Sequence, residues 1–219
     1  MALARLQQTL ERLYDVSVGR NVEDFLVHDP ALVRRIENNP AARAIPEKLL
    51  LRETEDTLDI ALYLEKALVE RLQADDPTER LHSGNLADFL TALEGVSHFL
   101  CLVWSATHER SVSLLELELQ AEIDKYILAA LLIARHENGR VPAGLHPLLF
   151  DEAAFDPALD GSLAARYQAA NRYARRYCAW LQKHYLAAPS RPGMMHELRR
   201  FYRLGHHGKL ARIRHDVRH

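Results

Sequence analysis

The chain has 219 residues, of which 48% are hydrophobic and 26% are charged. These values are ordinary for a folded globular protein, and they exclude disordered, collagen-like and disulfide-scaffold classes. The length suits one domain rather than two. The formal net charge is only −2 but is unevenly distributed, because residues 191–219 carry eight Lys or Arg against two acidic residues. The remaining 190 residues therefore sum to −8.

Apolar residues recur at steps of three and four along most of the chain, which is the period of an amphipathic α-helix. This spacing predicts a first helix over residues 3–13. Asp29 followed by proline is typical of a helix start and predicts a short helix over residues 30–36. The next stretch, residues 46–73, is predicted to form one long helix with a single apolar stripe.

The second half of the chain predicts three further helices. Residues 86–107 form the first, and the second begins at a capping box headed by Ser113 and ends at residues 138–139, an Asn-Gly pair. Residues 162–187 form the third. A short helix is predicted over residues 195–204 in the basic C-terminal segment.

These elements predict an all-α fold, a multi-helix bundle of about five main helices plus short helices, with no sheet. We expect a single helical domain over residues 1–190. The basic C-terminal segment, residues 191–219, is expected either to pack on that domain or to extend from it. Its mixture of apolar and basic residues favours packing.

The location of the protein is predicted from its apolar segments. The N-terminal residues carry charges every few positions, unlike a secretory signal peptide. The longest uninterrupted apolar run, residues 126–134, is about half the length of a membrane span. Cys101 and Cys178 lie within apolar helical patterns and are expected to be buried thiols. We therefore expect a cytoplasmic protein with no membrane partner.

Several acidic or imidazole side chains fall on helix faces that should be buried, where an unpaired charge is unfavourable. One lies in the apolar stripe predicted for residues 46–73. Two lie four residues apart on a helix face without Lys or Arg, and two more share a stripe with apolar residues of the next helix. These candidate metal ligands are Glu65, Glu94, His98, Glu118 and Glu122.

Glu and His side chains that project from facing helices into a bundle interior are typical of carboxylate-bridged metal sites. Oxygen and imidazole ligands suit iron, manganese or zinc, so a divalent metal is the one cofactor indicated. The spacing of Glu94 and His98 occurs once and differs from the repeated Glu-x-x-His of ferritin-like proteins, so no family is assigned. The alternative is a structural polar network in which these two residues bond to each other and to Lys125 or Arg110.

Three functions follow from these observations. The first is a non-enzymatic interaction or regulatory protein that binds a protein partner or self-associates, because no catalytic motif is found. The second is a metal-binding, hydrolytic or oxidative helical-bundle protein that uses the Glu/His cluster. The third is a nucleic-acid binder acting through residues 191–219, where basic residues alternate with Phe201 and Tyr202. Whether the protein is an enzyme stays open at this point.

Overall fold

The computed structural model describes residues 2–36, 45–53, 57–152, 161–186 and 192–216. Within these ranges the chain forms nine α-helices and one small sheet of three strands. The helices are α1 (Ala2–Tyr14), α2 (Pro30–Ile36), α3 (Lys66–Ala74), α4 (Leu86–Thr107), α5 (Leu114–His136), α6 (Leu145–Phe150), α7 (Gly161–Leu181), α8 (Pro192–Tyr202) and α9 (His206–Asp216). The strands are β1 (Leu26–Val27), β2 (Glu47–Glu53) and β3 (Leu58–Leu64). The mostly helical fold is confirmed, and the prediction of no sheet is wrong.

The predicted ends of α5 are found where the sequence places them. Ser113 Oγ accepts a hydrogen bond from the backbone N–H of Glu116 at 3.2 Å, which satisfies one of the free amides of the first turn. At the other end, Asn138 and Gly139 have φ angles of 51° and 84°, the left-handed conformation that ends a helix. Local sequence chemistry therefore sets the length of this central helix.

The long helix predicted over residues 46–73 is wrong. The segment instead forms β2, β3 and the short helix α3. In β3 the alternate residues Ile60, Leu62 and Leu64 face the core, and β2 pairs with β3 in antiparallel register while β1 pairs with it in parallel. Apolar residues at every second position satisfy a strand better than a helix, because a sheet buries one face along its whole length.

The two faces of the sheet contact different helices. Directly opposed residues share a face, so Glu47 of β2 lies beside Leu64 on the side that packs against α4. On the other side, Leu50 and Tyr63 form a small apolar cluster with Val33 of α2. The register therefore places a carboxylate on the inner face of the sheet, at the start of β2.

Helices α4 and α5 form the centre of the core, with α1 against α4 and α7 against α5. Of the described helices, α4 is long and apolar enough, by length and composition, to cross a membrane. Of its most apolar window, 67% is buried inside the protein. The core helix of a soluble protein passes the same test, so this feature is weak evidence for a membrane span.

A fully buried polar network joins α1, α4 and α5. The Asp124 carboxylate accepts hydrogen bonds from the Tyr14 hydroxyl, from Ser97 Oγ at 2.6 Å and from Gln120 Nε2 at 2.9 Å. Burial raises the pKa of Asp124 to about 6, although the three donors favour its ionised form. The network fixes the relative positions of the three helices, because each member is hydrogen-bonded inside the core.

The C-terminal helices extend this network. Lys209 of α9 is 1% exposed, donates a hydrogen bond to Gln120 Oε1 at 3.0 Å and lies 3.2 Å from Glu116 Oε1. Its ammonium group also lies 5.6 Å from the centroid of the Tyr202 ring. Helix α9 is therefore held to the core by a buried charge. The predicted domain boundary between residues 190 and 191 lies outside the described residues.

Helix α8 is held to the end of α1. Arg199 donates hydrogen bonds to the backbone carbonyls of Arg12 and Leu13, and Arg203 donates to those of Tyr14 and Asp15 at 3.1 and 2.8 Å. The last carbonyls of a helix have no partner within the helix itself. Two arginines from the far end of the chain supply those partners here.

Candidate metal centre

Three elements bring acidic side chains together around His98. Glu47 enters from the start of β2, and Glu94 lies one turn before His98 on α4. Glu118 and Glu122, also one turn apart, face them from α5. The site therefore lies where the inner face of the sheet meets the two central helices.

His98 lies between two carboxylates. Its Nδ1 is 4.0 Å from Glu47 Oε1, and its Nε2 is 3.4 Å from Glu118 Oε2. One ligand atom from each of Glu47, Glu94 and His98 lies within 4.8 Å of the others. A cation at about 2.1 Å from each ligand holds neighbouring ligand atoms about 3–4 Å apart. Small side-chain adjustments would bring these three groups to that spacing.

Two cations partner the cluster. Lys125 Nζ lies 2.6 Å from Glu94 Oε2 and 2.8 Å from Glu122 Oε1, so it holds both carboxylates. Arg166 of α7 approaches Glu118 with 3.6 Å between Nε and Oε1. The contacts of Lys125 with Glu94 and Glu122 agree with the alternative of a structural polar network. Arg110 does not take part, because its guanidinium lies 4.9 Å from the Trp104 ring centroid.

Several buried polar atoms of the cluster lack a hydrogen-bond partner among the described residues. They are Glu47 Oε1, His98 Nε2 and Arg166 Nε. A buried donor or acceptor without a partner destabilises a fold by about 1–3 kcal/mol. Glu47 Oε1 and His98 Nε2 could each accept a cation, whereas Arg166 Nε is a donor that already faces Glu118.

The pKa values of the cluster follow from burial and from the excess of carboxylates. Burial raises the pKa of Glu47 to about 8, and the neighbouring Glu94 and Glu118 add to the shift. Burial opposes a charge on His98, but the nearby carboxylates of Glu118, Glu47 and Glu94 together raise its pKa. Burial would also raise the pKa of Glu94, yet the ammonium of Lys125 keeps it lowered. The metal-free cluster therefore retains protons that water-exposed groups would lose.

Formal charges show why these protons are retained. Four carboxylates converge in the cluster, those of Glu47, Glu94, Glu118 and Glu122, against the two permanent cations Lys125 and Arg166. An excess of two negative charges in a mostly buried region is unfavourable unless protons or a cation balance it. One divalent cation, or protons on Glu47 and His98, would balance this charge.

A glycine on α4 allows the sheet to approach the helix. A Cβ atom at Gly95 would lie 2.7 Å from Leu62 Cδ1 and 3.0 Å from Glu47 Oε1. The absence of a side chain at this position therefore determines how closely Glu47 approaches Glu94 and His98. Leu62 is fully buried, so moving it would disturb the core around it.

We expect Gly95→Val to lower the free energy of unfolding by about 1–3 kcal/mol, the usual effect of overpacking a core. Chemical denaturation with a circular dichroism readout measures the change. The matched control is Gly144→Val, because a Cβ there meets no atom within 4 Å, and it should change stability by less than about 0.5 kcal/mol. Equal stability of the two variants would contradict the close approach described here.

The sequence-predicted ligands do not all meet. Glu94, His98, Glu118 and Glu122 come together as expected. Glu65 does not, because it is an exposed residue between β3 and α3 rather than part of an apolar helix stripe. Its predicted position depended on the long helix over residues 46–73, and that helix does not form.

Sequence reasoning missed Glu47 for the same reason. On a helix over residues 46–73, Glu47 would lie at the very first turn, in line with Glu65 five turns later, whereas in β2 it lies on the side of the sheet that packs against α4. The alternation of β3 from Leu58 to Leu64 is the signal that could have found it. Recognising that strand would have required a partner strand beside it.

This arrangement can hold one divalent cation with oxygen and nitrogen ligands, or it can persist as a protonated polar network. No family model matches the chain, and no curated protein or solved structure is significantly similar to it.

Proposed function

We propose that this protein binds one divalent metal ion between Glu47, Glu94 and His98, with Glu118 beside them. The observation that carries the proposal is the convergence of Glu47, Glu94 and His98 in a mostly buried region, where Glu47 Oε1 has no hydrogen-bond partner among the described residues. When Glu47 and His98 have lost their protons, the cluster carries an excess of two negative charges, which equals the charge of one such ion. A buried carboxylate otherwise stays ionised only when a cation lies beside it.

The donor atoms of the site limit which metal ion it would prefer. Carboxylate oxygens with one imidazole suit Fe²⁺, Mn²⁺ or Zn²⁺ rather than soft, thiolate-preferring ions. Lys125 orients Glu94 through Oε2, in the way that hydrogen-bonded neighbours fix the ligands of metal sites. Glu122 shares this ammonium group, so its role is to position Lys125 rather than to bind the ion.

We expect the purified protein to bind one equivalent of Mn²⁺, Fe²⁺ or Zn²⁺ per chain. The measurements are elemental analysis after purification without chelator and calorimetric titration of chelator-treated protein, under argon for Fe²⁺. Glu47→Gln and His98→Gln each remove a ligand and should weaken binding by at least about 100-fold, beyond the usual effect of losing a supporting group.

Glu65→Gln is the matched control. It removes one carboxylate that the sequence suggested as a ligand but that lies exposed outside the cluster, so metal affinity should stay within about twofold, a small change beside the loss of a ligand. Circular dichroism of each variant checks that the fold is retained. A protein that contains no metal and takes up none at millimolar concentration would establish the structural-network alternative instead.

The other expectations from the sequence stay predictions. These are a non-enzymatic interaction or regulatory role, a protein partner or self-association, and a cytoplasmic location. Whether the metal centre performs hydrolytic or oxidative chemistry depends on which ion it selects, and metal content in the experiment above decides this first.

A further inference from the structure

A second candidate site lies on the surface of α7. Residues 161–196 contain six Lys or Arg and no Asp or Glu. Chains that mix both charges along their surfaces are the usual case, so a run of this length with one sign is an electrostatic feature of the protein. The rest of the chain is acidic overall, so this basic segment indicates an anionic partner.

Three of these cations are exposed on α7 and on the π-helical turn Gln182–Leu186 that directly follows it. Arg172 and Arg176 of α7 lie within about 40° of one another around the helix. Lys183 lies on the π-helical turn, two residues after the end of α7. None of them forms an ion pair with any residue in the described ranges, unlike Arg175, which contacts Asp151 at 2.7 Å.

The C-terminal cations, in contrast, are largely occupied inside the protein. Arg199 and Arg203 bind the carbonyls at the end of α1, and Lys209 is buried beside Glu116. Arg212 pairs with Glu197 at 2.8 Å. Four of the basic residues that the sequence assigned to a nucleic-acid partner therefore hold the C-terminal helices in place, whereas Arg172, Arg176 and Lys183 are exposed.

Aromatic side chains border this face on the side of α9. Arg214 Nη2 donates a hydrogen bond to the Tyr173 hydroxyl at 3.3 Å, and the guanidinium of Arg172 lies 5.5 Å from the same ring centroid. Trp180, two turns further along α7, is partly exposed beneath Arg212. Cationic and aromatic side chains therefore lie beside one another where α7 meets α9.

We propose that this surface, defined by Arg172, Arg176, Lys183 and Arg214 with Tyr173 at its edge, binds single-stranded nucleic acid. Guanidinium groups match phosphate oxygens in a bidentate geometry, and partly exposed aromatic rings accept stacked bases. A membrane surface fits less well, because helices that lie in the bilayer interface expose large apolar residues beside their cations. On this face the exposed position between the cations is Ala179.

The test is fluorescence anisotropy of the full chain with a labelled 20-nucleotide oligouridine. Four phosphate contacts predict that affinity falls about 50-fold between 50 and 200 mM salt. The triple variant Arg172→Glu, Arg176→Glu, Lys183→Glu should weaken binding at 50 mM salt by at least tenfold. The matched control, Arg35→Glu, Lys66→Glu, Arg80→Glu, makes the same change in net charge on other elements, and its binding should stay within twofold of the unmodified protein.

Three results would overturn the proposal. The first is no binding of the oligouridine at 50 mM salt with tens of micromolar protein. The second is equal weakening by the two triple variants, which would mean that net charge alone drives the association. The third is tighter binding to duplex DNA, or to phosphatidylserine vesicles in a sedimentation assay, than to the single strand. Metal content does not enter any of these readouts, so the outcome is independent of the metal centre.

Discussion

Lys209→Met should lower the free energy of unfolding by about 3–5 kcal/mol, the usual effect of removing one partner of a buried ion pair. Methionine nearly fills the space of the lysine, but it leaves the Glu116 carboxylate buried without its cation. Gln120 Oε1 also loses its donor. Denaturant unfolding, monitored by circular dichroism, measures the loss.

Two further variants test whether the loss of stability comes from the broken ion pair rather than from replacing a lysine in general. In the double variant Lys209→Met, Glu116→Leu, an apolar pair replaces the ion pair, and most of the stability should return. Lys66→Met, an exposed lysine on α3, should change stability by less than about 0.5 kcal/mol. Because buried pairs are screened weakly, the loss in Lys209→Met should persist at 1 M salt. A loss that vanishes with salt would place Lys209 at the surface.

The metal-free protein should become less stable as pH rises from about 5 to 8. The pKa of Glu47 is about 8 in the folded protein and 4.5 in an exposed chain, so across this window the folded state holds a proton that the unfolded state has lost. The free energy of unfolding therefore falls with pH, by about 3–4 kcal/mol across this window at 1.36 kcal/mol per pKa unit. The raised pKa of His98 acts in the same direction, because its stabilisation is lost as pH rises.

Glu47→Gln isolates this contribution. The amide carries no charge at any pH in the window, so the variant should lose most of the slope and exceed the unmodified protein in stability at pH 8. A saturating divalent ion should flatten the slope of the unmodified protein, because it takes the place of the protons. Urea unfolding at pH 5, 6, 7 and 8 measures the curves, and Glu65→Gln should reproduce the unmodified slope. An unchanged slope in Glu47→Gln would show that this carboxyl ionises normally.

The helical part of the fold follows from local sequence chemistry, and the sheet does not. Ser113 and the pair at residues 138–139 determine α5 by capping, which depends only on neighbouring residues. Strands β2 and β3 instead depend on pairing with each other and on burial against α4, and neither is visible in the apolar pattern of one segment. Helix α9 was missed as well, because Gly205 and Gly208 interrupt the pattern there.

The candidate site was predictable to the extent that it lies on long helices. Glu94, His98, Glu118 and Glu122 were identified because a 3.6-residue period places them on the inner faces of α4 and α5. Glu47 was missed because its orientation depends on strand register, which reverses with a shift of one residue. The position of Glu47 in the site therefore depends on how β2 pairs with β3, which the local sequence does not show.

The attachment of α8 to α1 has a consequence for how the protein emerges from the ribosome. The carbonyls of Tyr14 and Asp15 are bound by Arg203, which lies 189 and 188 residues later in the chain. At about 5–20 residues per second, roughly 10–40 s separate the synthesis of these two segments. During that interval Arg203 is not yet available to bind the C-terminal turn of α1. Translation pauses before α8 should therefore prolong the time for which this amphipathic helix lacks its later partner.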